Sequence, residues 1–395
     1  MKKTLNDLDF QNKKVLVRVD FNVPLNGEKI VDDTRIKGAL KTINFLIQKN
    51  AKIILFSHLG RVKTINDKLK YTLLPVYKKL KELINENVYF CQFTRGQQLE
   101  EKINQLKNKE VLLVQNTRFE DLNGQKESKN NEELAKYWAS LGDVFVNDAF
   151  GTAHRAHASN AGIAKFIKNS CIGFLVEKEL KNLNKCLINY KKPYVILIGG
   201  AKVSDKITIL DNLLKKCDYV LIGGGMAFTF LKSQGYNIGK SLLEKDKINL
   251  AKQYLTQYSK KIILPIDCAI SEEFKNNKPK FVDIDNITTG LGLDIGPKTI
   301  KLFAKYLNNA KTILWNGPMG VCEFSNYETG TLEICKILSN LKDAYRVIGG
   351  GDSAAAAIKL GFEHQFDHIS TGGGASLELL SGKELVGLTP ISEKK

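Results

Sequence analysis

Short apolar runs alternate with amphipathic segments along the whole chain. Ile53 to Phe56 and Val111 to Val114 are compact apolar runs of the kind that form buried strands. Between such runs, apolar residues recur every three or four positions, and this spacing predicts helices; one example starts near Thr34 and includes Ile36 and Ile43. Strands that alternate with helices predict a parallel sheet, so the expected fold class is α/β.

The second half of the chain repeats this alternation, and its predicted strands end in glycine-rich turns. These strands are Val195 to Ile198, Tyr219 to Ile222, Ile313 to Trp315, Val347 to Ile348 and His368 to Ser370. Glycine permits close backbone approach and leaves N–H groups available to a ligand. The glycine-rich turns therefore indicate a site for a polyphosphate.

The stretch from Val195 to Lys206 combines a strand, two glycines and a predicted helix start. Ser204 and Asp205 suit the N-cap or first turn of this helix, and if it begins near Val203, Lys202 and Lys206 share one face. Two ammonium groups beside a helix N-terminus suit a phosphate, and the alternative is an ordinary connection with two solvated lysines. Neither GxxxxGK[ST] nor GxGxxG occurs, so a nucleotide site here would be of another kind.

Charged and polar residues follow the predicted strands of the first half. They are Asp20, Asn22, His58, Arg61, Arg118 and Arg155. Taken singly, Asp20 could cap a helix, His58 could be a core histidine and Arg118 could form a surface ion pair. The carboxyl ends of parallel strands meet at one edge of the sheet, however, and six of the seven arginines lie in the first 155 residues. Guanidinium groups match phosphate and carboxylate oxygens, so we predict a small ligand with more than one negative charge.

The length of the chain and one long helix predict two domains. A chain of 395 residues exceeds the size at which a single core keeps growing. The apolar positions from Leu175 to Ile188 predict an amphipathic helix that Pro193 stops. We therefore expect an N-terminal domain over 1–173, a connecting helix over 174–192 and a C-terminal domain over 193–380.

The net charge of +17 is compatible with nucleic acid or with an anionic small molecule. Only seven of the 59 basic residues are arginine, and the lysines are scattered without a long basic block, which favours a solvated surface. No apolar run reaches the roughly 18 residues of a membrane-spanning helix, and the N-terminus lacks the apolar stretch of a signal peptide. The seven cysteines form no CxxC pair, so we expect reduced thiols in a cytoplasmic protein and no zinc site.

Ten stretches carry a resemblance to a known family. They are VRVDFNVP, DDTRI, SHLGR, NTRF, NDAFGTAHRAHAS, GGAKVSDK, GGGMAFTFL, WNGPMGVCE, GGGDS and STGGGASLELL. In this order and over its whole length the chain resembles phosphoglycerate kinase. The resemblance implies two Rossmann-like parallel-sheet domains that face each other across a cleft and are joined by the long helix. It also implies that the final segment, 381–395, returns to the N-terminal domain.

The resemblance implies roles for residues of the N-terminal domain. Asp20 and Asn22 would contact the glycerate of 3-phosphoglycerate, and Arg35 would reach the transferring phosphoryl group. The 3-phosphate would be held by His58, Arg61, Arg118 and Arg155. The complete substrate-binding set is Asp20, Phe21, Asn22, Arg35, His58, Leu59, Gly60, Arg61, Arg118 and Arg155.

The C-terminal domain would bind the nucleotide. The residues implied are Lys202, Lys206, Gly224, Gly292, Asn316, Glu323, Gly350, Gly351, Asp352 and Ser353. Arg35, Lys202 and Lys206 would be the catalytic residues. Asp352 would hold Mg²⁺ through one carboxylate, and the alternative is that it only caps the alanine-rich helix that follows.

The reaction so implied is the glycolytic phosphoryl transfer between 1,3-bisphosphoglycerate plus ADP and 3-phosphoglycerate plus ATP, in either direction. A carboxylate is already ionised near neutrality, so no general base is needed. Alignment, charge neutralisation and water exclusion in the closed cleft would then supply the catalysis. The expected partners are these small molecules and Mg²⁺, with neither nucleic acid nor membrane, and the expected state is a monomer.

The sequence departs from the family pattern at two positions. Ser353 stands where threonine is usual, which keeps the hydroxyl, and Gln115 precedes NTRF where the family commonly has glutamate, which alters local packing.

The alternating architecture also suggests a nicotinamide oxidoreductase, which binding to immobilised NAD would reveal. The positive charge suggests a nucleic-acid-binding protein, which a gel-shift assay at moderate salt would reveal.

Overall fold

The computed structural model describes residues 1–394, which divide into two compact units. Unit 1 comprises Met1–Leu180 together with the chain from Glu384 onward, and unit 2 comprises Lys181–Lys383. Each unit is built on a six-stranded sheet. No helix among the described residues combines the length and the apolar character that crossing a membrane requires.

The described part of unit 1 contains eight strands and seven α-helices, the last of which continues into unit 2. The strands are β1 (Lys14–Arg18), β2 (Leu25–Asn26), β3 (Lys29–Ile30), β4 (Lys52–Phe56), β5 (Val88–Cys91), β6 (Val111–Val114), β7 (Val144–Asn147) and β8 (Ser170–Ile172). The helices are α1 (Thr34–Gln48), α2 (Asp67–Lys70), α3 (Leu74–Leu83), α4 (Gln97–Gln105), α5 (Glu132–Ser140), α6 (Ile163–Phe166) and α7 (Phe174–Leu187).

The main sheet of unit 1 is parallel throughout, with the strand order β5-β6-β4-β1-β7-β8. All four residues of β6 and four of the five in β1 and in β4 are buried, because helices cover both faces of a sheet built from strand–helix repeats. Continuous apolar runs, rather than alternating ones, are the consequence of this burial. The order places the carboxyl ends of β6, β4, β1 and β7 side by side.

Unit 2, all of which is described, contains nine strands and seven further α-helices. The strands are β9 (Tyr194–Ile198), β10 (Tyr219–Ile222), β11 (Ile262–Ile263), β12 (Asp267–Ser271), β13 (Lys280–Asp283), β14 (Leu291–Ile295), β15 (Thr312–Asn316), β16 (Tyr345–Ile348) and β17 (His368–Ile369). The helices are α8 (Ile207–Leu213), α9 (Ala227–Ser233), α10 (Ile248–Gln257), α11 (Pro297–Leu307), α12 (Thr329–Asn340), α13 (Gly351–Lys359) and α14 (Gly374–Leu380).

The main sheet of unit 2 is also parallel, with the order β11-β10-β9-β15-β16-β17. All five residues of β9 and of β15 are buried, as expected for central strands covered on both faces. The α/β class with two Rossmann-like parallel sheets is therefore confirmed. The order places the turns that follow β10, β9, β15 and β16 along one edge.

A second sheet in unit 2 is antiparallel and was not predicted. Its order is β13-β12-β14, with a bulge between Ala269 and Ile270. The pattern of β12 hides it, because this strand is short and its first residue, Asp267, is a buried carboxylate. That carboxylate accepts hydrogen bonds from the backbone N–H groups of Lys298 and Thr299, at 2.9 and 2.7 Å, and so fixes the start of α11.

Helix α7 crosses the division between the units. Its N-terminus is held by Asp148, whose Oδ1 accepts from the backbone N–H groups of Leu175 and Val176 at 2.8 and 3.2 Å. The helix ends at Leu187, earlier than the predicted 192. Beyond it, the N–H of Lys191 donates to Thr312 Oγ1 at 2.8 Å, so the chain is by then held by β15 instead of by a helical carbonyl.

The end of the described chain packs on unit 1. The N–H of Gly387 donates to the carbonyl of Ala153 at 2.8 Å, and Asn147 Nδ2 donates to the carbonyl of Gly387 at 3.0 Å. The ammonium of Lys2 lies 2.7 Å from the carboxylate of Glu393. Unit 1 takes up the chain at Glu384, slightly after position 381 where we expected the final segment to begin.

Candidate functional sites in the two units

The strand ends of unit 1 bring several of the predicted residues into direct contact. Arg35 Nη1 lies 2.8 Å from Asp20 Oδ2, and the N–H of Gly60 donates to Asn22 Oδ1 at 2.8 Å. The guanidinium of Arg118 donates to the carbonyl of Gly60. The loops after β1, β4 and β6 are therefore tied together by residues of the predicted substrate-binding set.

An arginine-lined depression lies beside these loops. Its volume is about 720 Å³, and its lining includes Arg61, Arg118, Arg155, His157, Lys63 and Lys129. Asp121 is the one carboxylate in the lining, so the cationic groups dominate. Asp20, Asn22, Arg35 and His58 are not part of this lining. The depression therefore suits an anion, and the Asp20–Arg35 pair belongs to the adjoining strand ends.

The structure distinguishes between the alternatives for Asp20, His58 and Arg118. Asp20 caps no helix and instead pairs with Arg35. His58 is indeed buried, and its Nδ1 lies 3.1 Å from Arg18 Nη2. Arg118 is not in a surface ion pair, since only 7% of it is exposed and its Nε has no hydrogen-bond partner within residues 1–394. A buried, unpartnered guanidinium N–H is a donor available to a ligand.

Phe21 and Leu59 contribute through their backbone, because both side chains are buried. The N–H of Phe21 donates to Ser57 Oγ at 2.8 Å, and the N–H of Leu59 donates to Asn116 Oδ1 at 3.1 Å. Asn116 Nδ2 in turn donates to the carbonyl of Leu59 at 2.7 Å. These bonds fix the loop that carries His58, rather than presenting groups to a ligand.

In unit 2 the glycine turns pack backbone against backbone. Gly224 follows β10 and has φ +65°, and a Cβ there would lie 2.6 Å from the backbone nitrogen of Gly200. Gly317 follows β15 and has φ +91°, and a Cβ there would lie 2.3 Å from the carbonyl oxygen of Gly199. Only glycine fits both the positive φ and the close approach. Three turns therefore meet at one edge of the sheet, as the strand order requires.

The predicted helix start after Gly200 is wrong. Helix α8 begins at Ile207, and Lys206 is its N-cap residue rather than a residue of its first turn. The reason lies in another segment: the carboxylate of Glu244 accepts from the N–H groups of Val203 and Ser204, and from the hydroxyl of Ser204. These N–H groups are held outside the helix, so Lys202 and Lys206 do not share a helical face.

Lys206 is nevertheless placed at the meeting point of the turns. Its Nζ donates to Asn316 Oδ1, and Asn316 Nδ2 donates to the carbonyl of Gly349, so one side chain links the ends of β15 and β16. Burial lowers the pKa of Lys206, and the charges of Asp352 and Asp205 oppose this effect. Lys202, by contrast, is exposed and makes no hydrogen bond or ion pair within residues 1–394.

The start of α13 settles the alternative for Asp352. The N-cap residue is Gly350, and no side chain caps this helix, so Asp352 is not a cap. Its carboxylate is exposed and makes no ion pair with any described residue. Ser353 is buried, and its hydroxyl donates to the carbonyl of Gly350 at 3.2 Å. Ser353, which stands where threonine is usual, therefore keeps a hydroxyl that stabilises the turn before α13.

Two predicted nucleotide residues lie apart from the contacts of Lys206. Gly292 is in β14, where its N–H donates to Ser241 Oγ at 2.9 Å. A Cβ at Gly292 would lie 1.9 Å from Cζ of Phe228, so glycine is required there for packing. Glu323 is exposed and makes no ion pair within residues 1–394. The structure brings Lys206, Asn316 and Gly350 together, and neither Gly292 nor Glu323 makes a hydrogen bond or ion pair with them among the described residues.

The model of the phosphoglycerate kinase family matches residues 5–383 of this chain. The chain belongs to the phosphoglycerate kinase family. A curated phosphoglycerate kinase from Fusobacterium nucleatum is 59% identical over 398 residues, and one from Enterococcus faecalis is 57% identical over 395 residues. Each alignment covers 100% of both chains.

Solved phosphoglycerate kinase structures share the fold. The enzyme from Coxiella burnetii superposes with a TM-score of 0.90 at 38% identity, over 99% of each chain. The enzyme from Pyrococcus horikoshii superposes with a TM-score of 0.82 at 32% identity, over 98% of each chain. The predicted family and enzyme class, a phosphoglycerate kinase, are confirmed.

Gln115, a departure from the family pattern, is fully used by its surroundings. Its Oε1 accepts from the N–H groups of Leu73 and Asn116, each at 2.9 Å, and its Nε2 donates to Thr72 Oγ1 at 2.9 Å. A carboxylate could accept the first two bonds, and the Thr72 hydroxyl could then donate the third. Glutamine therefore meets the hydrogen-bonding requirements of this position, and the phosphoglycerate kinase fold is undisturbed.

Several residues around the depression were not assigned a role from the sequence. Arg18 is fully buried at the end of β1, Glu127 is fully buried, and His157 lines the depression. Arg18 did give a signal, since an arginine inside an otherwise apolar strand must find a buried partner. Glu127 gave none, because it lies in a polar loop that reads as exposed.

Burial among arginines lowers the pKa values of two histidines in unit 1. The pKa of His157 falls to about 3, first because of burial and then because of Arg18 and Arg118. The pKa of His58 falls well below its usual value for the same reasons in the same order. Both imidazoles are therefore neutral in the folded protein. In the unfolded chain they bind protons below about pH 6.5, so folding loses stability as the pH falls from that value toward 3.

We expect the His157→Gln variant to be less sensitive to acid than the wild type. Between about pH 7.5 and about pH 5.5, the wild type should lose about 1.4 kcal/mol more unfolding free energy than the variant. Urea denaturation would measure this loss, followed by the fluorescence of Trp138 in a Trp315→Phe background so that unit 1 is reported. The exposed His364, replaced by glutamine, is the matched control. An equal pH dependence of the wild type and His157→Gln would contradict the expectation.

Proposed function

We propose that the arginine-lined depression and the neighbouring strand ends of unit 1 bind 3-phosphoglycerate or 1,3-bisphosphoglycerate. The observation that carries this proposal is the convergence of Arg61, Arg118 and Arg155 from three separate strand ends. Guanidinium groups in this number match a phosphate that carries close to two negative charges. His58 joins these arginines as a phosphate ligand, and Asp20 and Asn22 contact the glycerate.

Unit 2 holds the nucleotide at its glycine turns. The backbone N–H groups near Gly224 and Gly350, together with the ammonium of Lys206, form an anion site of the kind that phosphates use. Lys202 extends into solvent and reaches the outer phosphates. The remaining nucleotide-binding residues are Gly292, Asn316, Glu323, Gly351, Asp352 and Ser353. Lys206 is half-buried and contacts Asn316, which supports its role in phosphate binding. Lys202 is exposed, and its position gives weaker support for the same role.

The donors in unit 2 fit a magnesium ion that arrives with the nucleotide. No group of three or more His, Cys, Asp or Glu side chains among the described residues could hold a metal alone. Asp352 offers one exposed carboxylate without an ion-pair partner, which suits Mg²⁺ when phosphates and water supply its other ligands. When bound, the ion would neutralise phosphate charge and orient the phosphates.

The proposed mechanism needs no proton transfer. The accepting group is the ionised 1-carboxylate of 3-phosphoglycerate, so the chain has only to align it and to exclude water. Lys206 and Arg35 then stabilise the charge on the transferring phosphoryl group. Arg35 is held for this by its 2.8 Å contact with Asp20. Because the two substrates are bound by different units, transfer requires that the reacting groups meet with water excluded.

We further propose that the protein acts in glycolysis as a cytoplasmic monomer. All seven cysteines are free thiols, and six of them are buried, which agrees with a reducing compartment. The partners proposed are the two phosphoglycerates, ADP, ATP and Mg²⁺, with no nucleic acid and no membrane. Sedimentation at several protein concentrations would test the monomer, and a second, heavier species would contradict it.

We expect Arg118→Ala and Arg61→Ala to weaken 3-phosphoglycerate binding and to leave ATP binding nearly unchanged. Loss of one charged hydrogen-bonding partner costs on the order of 1.5–3 kcal/mol, which is roughly ten- to a hundredfold in Kd. Calorimetric titration of each ligand separately measures the effect. Arg95, which pairs with Glu120 outside the depression, gives the matched control variant Arg95→Ala. Equal weakening of both ligands would contradict the division of binding between the units.

A further inference from the structure

A chain of polar side chains connects Glu127 to His58 inside unit 1. Ser159 hydrogen-bonds Glu127, Arg18 hydrogen-bonds Ser159 at 2.8 Å, and Arg18 also lies 3.1 Å from His58. All four residues are buried, with 0% exposure for Glu127, Ser159 and Arg18 and 4% for His58. The chain ends on a proposed substrate ligand, although three of its members are closed to solvent.

The direction of each hydrogen bond in this chain is fixed by chemistry. A carboxylate only accepts, so the Ser159 hydroxyl must donate to Glu127 Oε1, and the Ser159 N–H donates to Oε2 at 2.9 Å. The Ser159 oxygen is then left to accept from Arg18 Nε. A guanidinium only donates, so Arg18 also donates through Nη1 to the carbonyl of Val19 and through Nη2 to His58 Nδ1.

Arg18 and Glu127 form a buried pair of opposite charges at the two sides of Ser159. Burial lowers the pKa of Arg18, and the negative charges of Glu127 and then of Asp20 oppose this effect. Removing either partner would leave an uncompensated buried charge, which is far more costly than the pair itself is stabilising. Glu127, acting through Ser159, therefore holds the Arg18 guanidinium in place, and its Nη2 is left to donate a hydrogen bond to His58.

The bond from Arg18 determines which nitrogen of His58 carries the proton. Nδ1 accepts from Nη2, so Nδ1 has no hydrogen, and a neutral ring must carry its hydrogen on Nε2. Nε2 has no hydrogen-bond partner within residues 1–394, and His58 is not fully enclosed, since 4% of it is exposed. A ring fixed in this way leaves an N–H donor that the chain itself does not use.

We propose that Arg18, anchored by Ser159 and Glu127, is a positioning residue that holds His58 as the neutral Nε2–H tautomer and thereby makes it a hydrogen-bond donor to substrate phosphate oxygens. The choice of substrate as the acceptor rests on the function proposed above, whereas the tautomer does not. Burial keeps the His58 ring neutral, together with the positive charges of Arg18, Arg118 and Arg35; the neighbouring His157 is itself neutral. A charged ring would add a further cation beside these arginines, and the chain avoids that without losing the donor.

The tautomer can be measured directly on the full chain. Two-bond ¹H–¹⁵N correlation spectra of the histidine-labelled wild type distinguish Nε2–H, Nδ1–H and imidazolium forms, and a His58→Gln variant assigns the signals. We expect the Nε2–H form of His58 between about pH 5.5 and about pH 8. Observation of the Nδ1–H tautomer, or of an imidazolium within this range, would overturn the proposal without affecting the proposed reaction.

The anchoring part of the proposal is tested by Ser159→Ala. This change leaves Glu127 and Arg18 in place but removes the hydroxyl that links them. We expect a mixture of His58 tautomers and a KM for 3-phosphoglycerate that rises roughly three- to tenfold, with the KM for ATP and kcat nearly unchanged. Ser170→Ala is the matched control, because Ser170 is also fully buried in unit 1. Its hydroxyl oxygen accepts a hydrogen bond from the N–H of Ser392 at 3.1 Å.

The two variants separate positioning from structure. A general loss of stability would affect Ser159→Ala and Ser170→Ala alike and would leave the tautomer of His58 as in the wild type. A wild-type spectrum and a wild-type KM in folded Ser159→Ala would overturn the anchoring role. Should the wild type show the Nε2–H tautomer but no transfer to 3-phosphoglycerate, the proposed function would fall and the assignment of the ring would stand.

Discussion

Replacement of Lys206 by alanine is expected to lower kcat by roughly a hundred- to a thousandfold, the usual effect of removing one preorganised donor from a developing anion. The KM for ATP should change only modestly. Lys206 is half-buried at the N-cap position of α8, and its ammonium is held by Asn316 at the edge where the glycine turns meet. A group fixed there stabilises charge that develops on the phosphoryl group during transfer, more than charge already present in bound ATP.

Steady-state kinetics on purified Lys206→Ala measure this effect. Lys215→Ala is a suitable control, because Lys215 is an exposed lysine that follows the same helix. Since the Lys206 side chain donates to Asn316, circular dichroism should accompany the kinetics to show that the turns remain folded. A raised KM for ATP with unchanged kcat would mean that Lys206 only anchors the nucleotide, and its role in the transition state would have to be abandoned.

Asp352→Asn is expected to remove most of the activity, by roughly a hundredfold or more, because a metal-ligand interaction of this kind contributes several kcal/mol to transfer. The asparagine keeps the shape of the side chain and removes its charge. Stability should change by no more than about 0.5 kcal/mol, since the carboxylate is exposed and caps no helix.

Kinetics over a range of Mg²⁺ concentrations, with urea denaturation of the same preparation, separate these effects. The exposed Asp343 in the same unit gives the control variant Asp343→Asn. Full activity of folded Asp352→Asn at low Mg²⁺ would rule out the carboxylate as the metal ligand. Loss of both activity and stability would show that Asp352 supports the fold of the α13 turn instead.

Local patterns predicted most strands of the two main sheets, and the short edge strands β8 and β11 were missed. The apolar run of β4 and the helical spacing of α1 are properties of five to fifteen consecutive residues, so they are visible without knowledge of the fold. The convergence of Arg61, Arg118 and Arg155 was also predictable, since it follows from the rule that parallel strands end at one edge. This prediction of convergence did not need a sequence motif within any one strand.

Features that depend on distant partners were missed. The start of α8 moved from Val203 to Ile207 because Glu244, in another segment, takes the N–H groups that a helix would have left free. The sheet of β12 to β14 was hidden by a buried carboxylate whose partners lie in α11. The pairing of Arg18 with Glu127 through Ser159 was hidden in the same way. Each is a tertiary hydrogen bond that overrides a local preference.

The transfer of label from γ-³²P-ATP in the presence and absence of 3-phosphoglycerate tests the proposed mechanism most directly. Direct transfer between substrates aligned by the two units, with water excluded, predicts label only in an acyl phosphate that hydroxylamine traps, and no release of inorganic phosphate when 3-phosphoglycerate is omitted. Label in inorganic phosphate at a comparable rate, with or without 3-phosphoglycerate, would contradict it.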